Sequence, residues 1–130
     1  MARIFTFRGK QSEELKTLTM EQYLPMLRSR ERRAIKRMGV QYKELIAKAE
    51  EVRKSGGTDT IRTHTREAVI LPQWIGMKFA VHNGKDFKEF TIQAEHLGHR
   101  LGDFSHTTKH VVHSAPGIRA TRGSKFLAVK

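Results

Sequence analysis

Cysteine is absent from the 130 residues, which excludes a disulfide scaffold and a zinc site built on thiolates. No apolar run approaches the roughly 20 residues that a membrane-spanning helix needs. The N-terminus carries Arg3 and Arg8 where a signal peptide would have its apolar stretch. We therefore expect an intracellular, soluble protein of one domain with extensions.

Acidic residues are also scarce, because 13 Asp and Glu stand against 25 Lys and Arg, for a net charge of +12. Residues 1–55 hold 14 basic and 7 acidic side chains, residues 56–95 hold 5 of each, and residues 96–130 hold 6 and 1. Two basic arms around a neutral middle favour a protein that binds a large polyanion. Nucleic acid is the commonest such partner, and a membrane surface is the alternative.

The spacing of apolar residues predicts an α+β core between the arms. A helix is expected after the Thr19–Gln22 capping box, with an interruption at Pro25 and a stop at Gly39. A second helix is predicted from about Tyr42 to Lys54, ended by the glycines after Ser55. The remaining expectations are strands near 61–65, 77–82 and 89–93, a turn at 73–76, an Asn83-Gly84 hairpin, and a bulge or longer loop at Lys85–Lys88. We divide the chain into a basic helical N-terminal extension (1–40), a globular core (41–104) and an extended basic tail (105–130).

Two basic clusters are candidate phosphate-binding surfaces. The first helix carries six basic residues within ten positions, opposed only by Glu31, so a bound anion would relieve their mutual repulsion; the alternative is a solvated helix face. The tail carries basic residues with almost no acids, which is typical of segments that fold on binding RNA; the alternative is disorder that aids solubility. The two sets are Arg28, Arg30, Arg32, Arg33, Lys36 and Arg37 in the helix, and Lys109, Arg119, Arg122 and Lys125 in the tail.

The histidines raise two further possibilities. The pairs His96/His99 and His110/His113 could bind a metal, but no cysteine assists and the basic surroundings would repel a dication. His106-Thr107-Thr108 looks like half of a two-histidine phosphoesterase element whose second half is missing. We therefore expect no metal, no cofactor and no enzymatic activity. We also expect Trp74 and the phenylalanines to pack in the core rather than to stack on bases.

Residues 83–107 contain a set of motifs that resembles a known family. Asn83-Gly84-Lys85, Ile92, the run from Leu97 to Phe104 (LGHRLGDF) and Thr107 resemble the signature of the universal small-subunit ribosomal protein family numbered nineteen in the bacterial series. Arg62-Thr63-His64-Thr65-Arg66 resembles the family's K-T-W-S-R element, with His64 in the tryptophan position. The N-terminal extension and the segment from Pro116 to Thr121 resemble the archaeal and eukaryotic branch, and the lean length favours an archaeal source.

The resemblance implies a structural, rRNA-binding role in translation, in the cytoplasmic ribosome. It implies a small α+β fold with a three-stranded, largely antiparallel sheet. It also implies a position in the small-subunit head, beside the protein numbered thirteen in the bacterial series and close to an inter-subunit bridge with the large subunit. The tail is expected to reach toward the decoding region and the aminoacyl-site tRNA, and no membrane contact is expected.

In the core, the expected RNA contacts follow from the motifs that carry the resemblance. Gly98 and Gly102 would allow a sharp turn or a close backbone approach to phosphate. The residues expected to bind RNA here are Arg62, Arg66, Lys85, Gly98, His99, Arg100 and Gly102. Two alternatives stay open: a free-standing regulatory RNA-binding module, and a histidine-dependent RNA-processing enzyme.

Overall fold

Helices come first and the sheet follows in the computed structural model, which describes residues 5–56 and 58–111. This order confirms the α+β class. The helices are α1 (Ser12–Lys16), α2 (Met20–Tyr23), α3 (Ser29–Lys36) and α4 (Val40–Ser55). The strands are β1 (Ile61–Thr63), β2 (Lys78–His82) and β3 (Phe87–Thr91), and 3-10 turns lie at Leu24–Met26, Pro72–Trp74, Ala94–His96 and Leu101–Phe104. No helix in the described ranges is both long and apolar enough to cross a membrane.

The first predicted helix is divided in two around Pro25. The backbone N–H of Thr19 donates to the Gln22 side chain at 3.4 Å. This is the hydrogen bond of the predicted capping box in which the side chain of the third helical residue accepts from the N-cap backbone. Pro25 lies inside a 3-10 turn, and the extended backbone of Leu27 then separates α2 from α3. Helix α3 ends at Lys36, and Gly39 is the N-cap of α4.

Helix α4 confirms the second predicted helix. Tyr42, Leu45 and Ala49 are buried on one face, at the spacing that one side of a helix requires. Gly56 follows the helix in the left-handed conformation (φ +64°), which a side chain would strain, and its N–H donates to Arg53 O at 3.3 Å.

The sheet is mixed, with the strand order β1-β2-β3. Five residue pairs join β2 to β3 in antiparallel register, and three join β1 to β2 in parallel register. The hairpin loop spans residues 83–86 and is longer than a two-residue turn, but the predicted location at Lys85–Lys88 is wrong, because Phe87 and Lys88 already pair with β2. The bulge is absent from this described hairpin, because His82 pairs directly with Phe87. Phe87 therefore points to the opposite face of the sheet from Phe90.

The core joins the N-terminal helices to the sheet. Leu15, Tyr23 and Ile35 are buried in the same cluster as the sheet residues. Trp74 is 2% exposed, in accordance with its predicted core position, and its ring centroid lies 5.0 Å from that of Phe79. The start of the predicted tail is anchored, because the buried Ser105 hydroxyl donates to Val81 O at 3.1 Å. Residues 112–130 lie outside the described part.

Candidate nucleic-acid interface

Most of the predicted basic site residues are exposed and have no acidic partner. Within residues 5–56 and 58–111, the only ion pair within 4.0 Å joins His99 to Asp103 at 3.8 Å. Both of these side chains are more than half exposed, so this contact is weak. The exposed cations of the predicted set are Arg28, Arg30, Arg33, Lys36, Arg37, Arg62, Lys85 and Lys109. Their charges remain available to an anion from outside the chain.

Helix α3 and its C-cap residue, Arg37, gather four of these cations on their solvent side. Ile35 fixes the orientation of the helix, because it is buried to 2% exposure. Arg30, Arg33 and Arg37 recur at i, i+3 and i+7, so they line one face, and Lys36 is also exposed. Such a row matches the spacing of a polyanion better than that of a single small ligand.

Arg32 differs from its neighbours on α3. Its Nε donates to Leu24 O at 3.1 Å, and its Nη2 donates to Leu27 O at 3.1 Å and to Pro25 O at 3.3 Å. These are carbonyls of the turn that separates α2 from α3. The guanidinium therefore holds the helical segments together, and most of its donors are already used.

The predicted signature loop, residues 97–104, is tied to the N-terminal helices. Gly98 adopts φ +78°, a left-handed conformation that favours glycine, and its N–H donates to the Tyr23 hydroxyl at 3.2 Å. The Tyr23 hydroxyl donates in turn to Ile70 O at 2.9 Å. Burial raises the pKa of Tyr23, so the hydroxyl stays protonated. The sharp turn expected at Gly98 is thus present.

Gly102 is required by a close approach within the protein. A Cβ at this position would lie 3.0 Å from Arg66 O and 3.1 Å from Arg66 Cβ. The Gly102 N–H donates to Arg66 O at 2.8 Å, and Arg66 Nη2 donates back to Gly102 O at 3.0 Å. Arg66 also donates to the carbonyls of His82 and Ser105. Like Arg32, Arg66 is partly buried and holds backbone segments together.

The same loop presents His99 and Arg100 at its surface. The Arg100 N–H donates to Asp103 Oδ2 at 2.9 Å, so Asp103 caps the 3-10 turn that follows. Beside this turn, His96 lies 4.2 Å from the Phe104 ring. Partial burial lowers the pKa of His96; Glu95 opposes that shift and His99 adds to it. His96 Nδ1 accepts the Gln93 N–H at 3.2 Å, which fits the neutral ring.

A groove of about 480 Å³ brings the N-terminal segment and the signature loop together. Arg8 and Arg28 line it from the N-terminal side, and Gly98 and His99 line it from the loop. Glu95 is its acidic member. Arg28 and His99 were predicted as separate RNA contacts in distant parts of the chain, and Arg8 was not among the predicted RNA-binding residues. The Tyr23–Gly98 hydrogen bond is one of the contacts that join these segments, and no local pattern reveals it.

The hairpin forms a second exposed surface with the end of β1. The Asn83 side chain accepts the N–H groups of Lys85 and Asp86 at 3.0 and 2.8 Å, so the loop is ordered and Lys85 projects from it. The Arg62 guanidinium carbon lies 5.8 Å from the Phe87 ring centroid. Phe87 was expected in the core and is exposed instead. The sequence did contain a signal of this exposure, because residues three apart in a regular strand, such as Phe87 and Phe90, lie on opposite faces.

Two points from the sequence remain, namely a metal site and the cations of the tail. No group of three or more His, Cys, Asp or Glu that could hold a metal ion occurs in the described ranges. Lys109 is exposed, and Arg119, Arg122 and Lys125 lie outside the described residues.

Comparison with known proteins agrees with the resemblance drawn from the motifs. A family model described as Ribosomal protein S19 matches residues 33–113. A relative from Saccharolobus solfataricus, named Small ribosomal subunit protein uS19, is 47% identical over 97% of this chain and 91% of its own length. A protein of the same name from Metallosphaera sedula is 42% identical over the same shares. The chain therefore belongs to the ribosomal protein S19 family and is a structural, non-enzymatic protein of the archaeal type.

Proposed function

We propose that this chain is a structural constituent of the small ribosomal subunit that binds rRNA in the head of the subunit. Its family and the names of its relatives support the ribosomal role. The observation that supports RNA binding is the set of exposed cations that have no carboxylate within 4.0 Å among residues 5–56 and 58–111. Neutralising RNA phosphates releases counterions, which provides much of the affinity of such surfaces.

Two faces of the fold are proposed as the main phosphate contacts. The first is the arginine row of α3, which consists of Arg30, Arg33 and Arg37. The second is the groove in which Arg28 meets His99. Arg100 and Lys85 extend these contacts along the loop and the hairpin. Arg32 and Arg66 act indirectly, because their hydrogen bonds to backbone carbonyls position these faces.

We also propose a finer placement, which the family resemblance supports. We place the chain in the cytoplasmic ribosome, near the decoding region, beside the head protein numbered thirteen in the bacterial series and close to a bridge with the large subunit. We propose that the basic residues Arg119, Arg122 and Lys125 extend RNA binding beyond the described residues, toward the aminoacyl-site tRNA. The family assignment favours this role over a free-standing regulatory RNA-binding module.

The test compares two triple variants of equal charge change. One replaces the arginine row with glutamine (R30Q, R33Q and R37Q). The control replaces three exposed cations of α4 (K43Q, R53Q and K54Q). Each protein is added to small subunits that lack it, followed by sedimentation through magnesium-containing gradients at increasing salt.

We expect the arginine-row variant to leave the subunit at lower salt than the control. Loss of three phosphate contacts should also reduce the salt dependence of log K for rRNA fragments by about 2–3. Equal behaviour of the two triple variants would contradict the proposed α3 contact. Failure of the unmodified chain to sediment with small subunits would contradict the proposed function as a whole.

A further inference from the structure

Three aromatic rings meet on the exposed face of the sheet, at the hairpin end. The His64 and His82 ring centroids are 4.5 Å apart, and the Phe87 centroid lies 5.1 Å from His64 and 5.0 Å from His82. The Arg62 guanidinium lies over the Phe87 ring. We call these four residues the ring cluster. None of them is needed to fill the core, which lies on the other face of the sheet with Phe79 and Val81.

Phe87 is the anomalous member of this cluster. It is 37% exposed, whereas Phe79 and Trp74 are almost fully buried. Strand register fixes Phe87 on the outer face, because it pairs with His82 and its neighbours along β3 are Lys88 and Glu89. Phe87 therefore forms one exposed aromatic surface with His64 and His82, and the strand pairing holds its ring on the outer face.

The cluster is held in place before any partner arrives. His82 Nδ1 accepts the Gly84 N–H at 3.1 Å, which fixes the orientation of that imidazole. His64 and His82 meet Phe87 at interplanar angles of 76° and 68°, so neither lies parallel to its ring. A ring that is ordered and not covered by a parallel neighbour loses little entropy when a flat partner stacks on it.

The surroundings of the cluster favour a partner that combines a flat ring with negative charge. Arg62 within the cluster and Lys85 in the hairpin loop supply positive charge, and the nearby acids are Asp86 in the loop and Glu89 on the same face of β3 as Phe87. Beside it, Arg62 and His64 line a cleft of about 180 Å³ against α4, which contributes both Lys48 and Glu44. This cleft is smaller than the roughly 300–1,000 Å³ of a small-molecule site, so one planar group fits it better than a metabolite does.

We propose that the ring cluster is a stacking site for an unpaired nucleobase of RNA, with Phe87 as the platform and Arg62 as the contact to the adjoining phosphate. This inference rests on the proposed function, because it takes rRNA as the source of the base. Aromatic side chains stack on any base, and arginine adds cation–π attraction and a phosphate contact. A phosphate alone would use the cations and would leave the phenylalanine unexplained.

The experiment measures binding of the full chain to two labelled RNAs by fluorescence anisotropy over a range of salt. One is a short oligoadenylate, and the other is a fully paired RNA duplex with the same number of phosphates. Phe87→Leu keeps an apolar side chain but removes the ring, and Phe87→Trp keeps a ring. Lys85→Ala removes a neighbouring charge without changing the cluster. Thermal melts establish that each variant is folded.

We expect Phe87→Leu to weaken oligoadenylate binding by about 5- to 100-fold and to leave duplex binding and the salt dependence unchanged. Phe87→Trp should retain binding, and the oligoadenylate should quench its new exposed indole. Lys85→Ala should weaken binding to both RNAs and reduce the salt dependence.

Two outcomes would overturn the proposal. In one, Phe87→Leu binds both RNAs as the unmodified chain does. In the other, it binds RNA normally but another ribosomal protein is lost from salt-washed subunits, which would make the cluster a protein contact. Both leave the arginine-row test of the proposed function unaffected. Conversely, failure of the chain to join subunits leaves the oligoadenylate comparison able to decide the role of the cluster.

Discussion

Removing the hydroxyl of Tyr23 tests how the N-terminal helices are joined to the rest of the protein. This hydroxyl makes two hydrogen bonds, one to Ile70 O at 2.9 Å and one from the Gly98 N–H at 3.2 Å. The tyrosine itself is fully buried. In Tyr23→Phe both backbone groups lose this partner inside the protein. An unsatisfied buried group costs about 1–3 kcal/mol. Because the Ile70 bond is buried and the Gly98 bond is only partly buried, we expect a loss of about 2–4 kcal/mol in the free energy of unfolding.

Tyr42→Phe is the matched control, because it removes the same atom from a similar position. Tyr42 is 7% exposed, and its hydroxyl makes one hydrogen bond, to Val69 O at 2.8 Å. We expect about half the loss, roughly 1–2 kcal/mol. Both values are measured by urea unfolding of the full chain, monitored by circular dichroism, and by thermal melts, in which 1 kcal/mol corresponds to about 4 °C or more.

The difference between the two losses in the free energy of unfolding is the test. If Tyr23→Phe costs no more than Tyr42→Phe, the hydroxyl does not bridge Ile70 and Gly98, and the groove that brings Arg28 to His99 loses its structural basis. A larger loss in Tyr23→Phe, with unchanged dependence of stability on urea, shows that the N-terminal helices unfold together with the sheet.

Two further predictions concern the signature loop and the 3-10 turn that precedes it. Gly102→Ala places a methyl group 3.0 Å from Arg66 O and should lower the free energy of unfolding by about 1–3 kcal/mol. The control Gly39→Ser should not lower it, because this position has open space at its Cβ and serine is a favourable N-cap residue. Equal melting temperatures of the two variants would contradict the close approach. The lowered pKa of His96 means that the folded state disfavours protonation of this ring, so stability present above about pH 6.5 is lost as the pH falls below that value. His96→Gln should reduce this loss in thermal melts between about pH 5 and 7.5. An unchanged pH profile of the variant would exclude His96 as the source of the acid sensitivity.

The parts of the fold that sequence predicted are those with strong local patterns. Helix α4 repeats its apolar residues at helical spacing, and β2 alternates buried Phe79 and Val81 with other residues, so both could be recognised without knowledge of their partners. The burial of Leu15 could not, because a five-residue helix contains too few apolar positions to show a period. The parallel pairing of β1 with β2 likewise depends on contacts between distant segments.

The candidate interface was predictable in kind but not in detail. Composition and charge distribution indicated an anionic partner, and the motifs indicated the family. Nothing local distinguishes Arg32, which donates to three carbonyls, from Arg33, which is exposed one residue later. The carbonyls that select Arg32 belong to the turn at Leu24–Met26 and to Leu27, across the break between α2 and α3.

Position in the fold therefore divides the predicted interface into residues that build it and residues that are free to bind. Gly98 serves a left-handed turn beneath the Phe7 ring, and Gly102 serves the close approach of Arg66. Each glycine therefore has a role within the protein that does not depend on RNA. A side chain added at either position acts on folding before it acts on RNA. We propose that the affinity for RNA resides in the groups that these glycines position, above all the exposed His99 and the partly buried Arg100, and in the arginine row of α3.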